Sequence, residues 1–138
     1  MKMTIDELLE TEYWIIDIFP KQVPADSPGQ FFAVERFFLQ KDQFAAIKQR
    51  HIGLIPKLNC YRSLSIDEET ETNPPPERIA KEMRTRSVCL LTGESLILSE
   101  PDDFSMTLYH PDDELLDLIT DLAAGEGLYV WQPPQDKE

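Results

Sequence analysis

His51 and His110 are the only two histidines in the chain, so general-base or imidazole-ligand chemistry near neutral pH would have to pass through them. His110 stands directly before Pro111, Asp112, Asp113 and Glu114. An imidazole beside carboxylates could act as a base, or the group could hold a hard divalent ion through oxygen ligands. The competing reading is a helix start. Proline suits the first helical turn, and acids there oppose the positive end of the helix dipole. His51 falls on an apolar stripe with Phe44, Ile47, Ile52 and Ile55, where a partly buried, hydrogen-bonded histidine is expected.

Other chemistry is marked by absence. The chain has no GxGxxG, no GxxxxGK[ST], no HExxH, no GxSxG and no EF-hand loop. The two cysteines, Cys60 and Cys89, form no CxxC, which removes a cysteine-based zinc site. They are expected as free thiols, acting as small hydrophobes in neighbouring strands. No cofactor and no metal are expected. Four basic residues, Arg78, Lys81, Arg84 and Arg86, form the one basic concentration and could grip a phosphate or carboxylate; their plainer role is to balance nearby acids. Phe31, Phe32, Phe37 and Phe38, within the Phe-rich stretch 31–44, read as core or as an oligomer interface or ligand groove at a sheet edge. Trp14 and Trp131 read as core, with Trp131 alternatively an anchor for a partner.

The acids carry the strongest signal. The 138 residues hold 13 Lys/Arg and 26 Asp/Glu, a formal charge of −13. Residues 1–86 are nearly neutral, with 12 Lys/Arg and 14 Asp/Glu, whereas residues 87–136 hold 11 acids and no Lys or Arg. That charge argues against direct binding to nucleic-acid backbones and anionic membranes, which would repel it. The base-free segment should present an acidic face built from Asp102, Asp103, Asp112, Asp113, Glu114, Asp117 and Asp121, together with Glu100.

Those groups need elements to position them. Thr4-Ile5-Asp6-Glu7 is a capping box, so a short helix over about 5–11 is expected. Tyr13 to Phe19 is β-branched and aromatic and reads as a strand stopped by Pro20, followed by a Pro-rich loop over 20–29. Residues 30–39 are apolar on both faces of either element; their aromatic content favours a strand. A helix follows over about 42–52, loosened at Gly53 and ended by Pro56. Residues 61–66 alternate as a strand, and about 67–76 form a polar, Pro-rich loop leading into a helix over 77–84. Residues 87–91 and 95–99 flank Thr92-Gly93-Glu94 as a hairpin. A strand over 104–109, a helix over 111–124 and a strand over 128–132 could make a right-handed βαβ crossover, followed by a polar tail.

The expected fold is therefore α+β. It comprises a single domain over 1–138, with a mixed or mainly antiparallel sheet of about five to six strands and two to four helices mainly on one face. The N-terminus lacks the basic start and long apolar stretch of a signal peptide, and no run approaches ~20 apolar residues. A cytoplasmic setting and no membrane span are expected. For function, the leading expectation is a non-enzymatic interaction module whose acidic face binds a basic protein, as an inhibitor or immunity-like protein would. The alternatives are a homo-oligomeric accessory subunit using the Phe-rich segment, and a small-ligand or metal-dependent enzyme centred on His110, Asp112 and Asp113.

Overall fold

Thr4 opens the chain's first helix through its side chain. Glu7 N donates to Thr4 Oγ1 at 3.1 Å, and Thr4 N donates to the Glu7 carboxylate at 2.9 Å, closing the expected capping box on α1 (Ile5–Leu8). The structure, a computed structural model, describes residues 3–24, 26 and 29–134. Parts of the expected loop 20–29 and the polar tail beyond 134 lie outside the described residues.

The order continues β1 (Tyr13–Asp17), α2 (Phe31–Phe38), α3 (Lys41–Asn59), β2 (Ser65–Ile66), α4 (Pro76–Thr85), β3 (Val88–Thr92), β4 (Ser95–Ser99), β5 (Met106–Tyr109), α5 (Asp113–Gly125) and β6 (Tyr129–Trp131). The described residues thus form a single α+β domain with one six-stranded sheet, ordered β2-β3-β4-β5-β1-β6, in which every pairing is antiparallel. Among the described residues no helix is long and apolar enough to cross a membrane.

Residues 31–38 form a helix, not the strand that their aromatic content favours, which brings the helices among the described residues to five rather than two to four. A turn of about 100° per residue gathers Phe31, Val34 and Phe38 on one side, where they are half-buried, and turns Phe32 and Phe37 outward. α3 runs through Pro56, which was expected to end it. A proline inside a helix costs about 3 kcal/mol. Ile55 and Leu58 are fully buried in that last stretch, and burying two such side chains, at ~1.5–3 kcal/mol each, outweighs the penalty. The strand expected over 61–66 shrinks to Ser65–Ile66 because α3 and its following turn consume the residues before it.

β5 and β6 both pair antiparallel with β1, so they run parallel to each other with β1 between them. The β5–α5–β6 crossover therefore skips over one strand. The β3–β4 hairpin is as expected, with a two-residue loop and Gly93 at φ 58°, a backbone region that favours glycine.

One face of the sheet carries the core. Ile16, Ile66, Val88, Leu90, Ile97, Met106 and Leu108 meet α3, α4 and α5 through Leu54, Ile55, Leu58, Ile79, Met83, Leu115, Ile119 and Ala123. Trp14 packs against this core. The other face carries the alternate residues, and α1 packs against β4 there. Cys60 and Cys89 are both free; Cys60 caps the end of α3 rather than lying in a strand, and Cys89 sits in β3.

Candidate functional site

α5 is built with two unlike faces. Leu115, Ile119 and Ala123 are completely buried, while Asp113, Glu114, Asp117 and Asp121 are exposed. The spacing 113, 117, 121 places three carboxylates on successive turns of one stripe, with Glu114 beside it. None of these four carboxylates has an ion-pair partner among the described residues, and the last turn holds no base. Asp113 and Glu114 sit at the favourable, N-terminal end of the dipole; Asp117 and Asp121 do not. Each like-charged i,i+4 pair costs roughly 0.2–0.5 kcal/mol, so the stripe is not explained by helix stability.

The other expected members of the acidic face are differently employed. Asp112 is the N-cap of α5, accepting from Leu115 N at 2.8 Å, and it pairs with Arg62 at 3.3 Å. Its carboxyl is held below the usual range, mainly by the Leu115 backbone bond and then by Arg62. Asp102 and Asp103 are exposed but stand before β5, whereas Asp112 and α5 follow it. They lie toward a buried lysine. Lys48 is 5% exposed, and its ammonium donates to Glu100 O at 2.7 Å, with Ser99 Oγ at 3.5 Å and His51 Nδ1 at 3.4 Å. Burial lowers the Lys48 pKa, and the fields of Asp103, Asp102 and Glu100 oppose that fall. Three ammonium protons thus meet three neutral acceptors, so Lys48 ties α3 to the β4–β5 connection. Glu100 is itself pushed up, chiefly by sharing a hydrogen bond and repulsion with Asp103.

His51 completes that network; it is hydrogen-bonded, as expected, but fully rather than partly buried. Its Nε2–H donates to Phe104 O at 3.1 Å while Nδ1 faces the Lys48 ammonium, which fixes the tautomer. Burial first, and Lys48 second, push its pKa down to about 4, so it is neutral at pH 7. His110 occupies the corner between β5 and α5 at φ 57°. Its N–H donates to Glu12 O at 3.1 Å, its carbonyl accepts from Ser95 Oγ at 2.7 Å, and its Nδ1 lies 3.0 Å from Glu94 O. The corner is thus held from three sides. Among the described residues no three His, Cys, Asp or Glu side chains converge as metal ligands would.

The basic residues are largely matched by acids. Arg78 bonds Glu69 at 2.6 Å and Glu71 at 2.8 Å, and Arg86 bonds Asp67 at 2.9 Å and also Glu82. Arg84 donates to Gln49 at 2.6 Å, and Lys81 is exposed. The loop after β2 is therefore pinned by α4's cations, and Asn73 anchors it further by accepting from Leu64 N at 2.9 Å.

Sequence reasoning passed over one feature. Beside α2, at the end of β1, lies a cavity of about 280 Å³ with Asp17 in its wall. Asp17 accepts from Ile18 N at 2.7 Å, and burial raises its pKa despite that bond. Trp131 Nε1 is buried without a well-aligned partner, though near enough to Asp17 to help hold its charge. The signal in the sequence was a lone acid inside an otherwise apolar strand. The Phe-rich segment divides here: Phe31 and Phe38 line the cavity, while Phe32 is 75% and Phe37 47% exposed. Compared with protein-family models, curated proteins and solved structures, the chain matches none.

Proposed function

We propose that the protein is a non-enzymatic interaction module that binds a basic protein through the exposed stripe of α5, in the manner of an inhibitor or immunity protein. The observation that carries the reading is the unpaired row Asp113, Glu114, Asp117 and Asp121 on a helix whose opposite face is fully buried. A rigidly seated helix presents these charges at fixed spacing, and the row gains nothing for the helix itself. Complementary charge raises association rates roughly 10–10³-fold and makes them fall steeply with salt. The neutral His51 and the matched Arg78 and Arg86 are in keeping with a scaffold role for the rest of the domain.

The test is affinity capture from the native host at low and high salt, using wild type and the variant Asp113→Asn/Glu114→Gln/Asp117→Asn/Asp121→Asn. Wild type should retain a basic protein at low salt, release it at high salt, and associate with it at least about tenfold faster than the variant. Equal retention by both proteins would remove α5 from the interface.

A second reading is favoured by Phe32, Phe37 and Leu39, exposed by 75%, 47% and 58% around α2. Three large apolar side chains on one short segment suit contact with a second copy of this chain. Sedimentation should then show a concentration-dependent dimer that Phe32→Ser disperses; a monomer at every concentration excludes it.

A further inference from the structure

The cavity beside α2 has walls and charge of an unusual combination. Phe19, Phe31, Phe38 and Trp131 supply aromatic surface, with the Phe19 and Phe31 rings 6.2 Å apart and tilted by 53°. Asp17 and Glu35 supply the charge, and among the described residues no Lys, Arg or His lines the cavity. We propose that this cavity binds a small organic cation, an ammonium on a short apolar body, with the charge against Asp17 and the methyl or methylene groups against the rings. Aromatic faces attract cations through their quadrupole, most strongly where water is excluded, and quaternary ammoniums exploit this. A volume of about 280 Å³ has room for a group of that size. An anion would meet two carboxylates and no base. A neutral apolar ligand would leave Asp17 to bear its burial alone, which is the cost already seen in its raised pKa. The chain's charge of −13 favours the same sign of ligand.

The test uses choline against its neutral carbon isostere, 3,3-dimethylbutan-1-ol, read from the Trp131 indole N–H resonance in ¹⁵N-labelled protein. The chain's other tryptophan, Trp14, lies in β1 against the core, and Trp14→Phe assigns the two signals. Choline should shift the Trp131 signal saturably, and the isostere should bind at least about tenfold more weakly. Asp17→Asn keeps the acceptor for Ile18 N and removes a charge that burial disfavours, so it should fold and lose at least about tenfold in choline affinity. Phe38→Leu carries the test independently of Asp17, with an expected loss of about threefold or more. Equal affinity for choline and its isostere, unchanged affinity in both variants, or no saturable shift into the millimolar range would overturn the proposal. The α5 variant should leave choline binding unchanged, so this outcome and that of the partner capture are separable.

Discussion

Between pH 6.5 and pH 4 the domain should lose up to about 3 kcal/mol of unfolding free energy. His51 is the cause. Its folded pKa is about 4 against an ordinary 6.5, and each unit of difference corresponds to about 1.4 kcal/mol. A base whose pKa is depressed by folding is neutral in both states above the unfolded value, so it adds no pH dependence there. Below that value the unfolded chain takes up a proton that the folded chain refuses, and stability falls until the folded pKa is reached. Protonating His51 in place would put a second cation 3.4 Å from the Lys48 ammonium, away from water. Asp17 and Glu100, whose pKa values are raised, bind protons early in the folded state and partly oppose the loss at its acid end. Against a typical stability of ~5–15 kcal/mol, the effect is a large fraction of the total. Urea titrations across the window would show it, and His51→Gln should flatten the slope even where it lowers stability at pH 7. A wild-type protein equally stable at pH 6.5 and pH 4 would mean that His51 is not held neutral.

The second large effect separates the two faces of α5. Ile119→Ala should destabilise by ~2–5 kcal/mol, because Ile119 is completely buried in the core and its truncation leaves a cavity. Asp117→Asn, two residues away, should change stability by no more than about 0.5 kcal/mol and in the stabilising direction, since it relieves the like charges of Asp113 and Asp121. Binding should reverse the order. In conditions where both variants are folded, Ile119→Ala should keep its partner and Asp117→Asn should weaken it. Thermal or urea unfolding gives the first ranking and titration with the captured partner the second. A destabilising Asp117→Asn would show that the stripe serves the fold.

The local elements follow from local signals. The capping box at Thr4, the turn at Gly93 and the acids before Leu115 are each satisfied within a few residues, so their sequence is sufficient. Residues 31–38 read as a strand because Phe residues lie on both sides of either element, and the cavity that Phe31 and Phe38 line is shared with Trp131, a residue about a hundred positions away. Pro56 was misread because its local penalty is visible and the burial of Ile55 and Leu58 against distant strands is not. The insertion of β1 between β5 and β6 is likewise a long-range pairing that no segment announces. The base-free run was legible as charge, but its division was not. Asp112 became a cap, Asp102 and Asp103 lie toward Lys48, and the α5 row has no ion-pair partner among the described residues. The cavity was least legible, since it is assembled from β1, α2, β6 and the segment before β5.

The proposed role of α5 is tested most directly by a photo-crosslinking residue at Thr120, which is exposed on that helix between Asp117 and Asp121. In extracts of the native host at low salt it should form an adduct with one basic protein. That adduct should vanish at high salt and when Asp113, Asp117 and Asp121 are changed to Asn. An adduct that survives both changes, or none at Thr120 while a crosslinker at exposed Lys81 on α4 captures the partner, would contradict it.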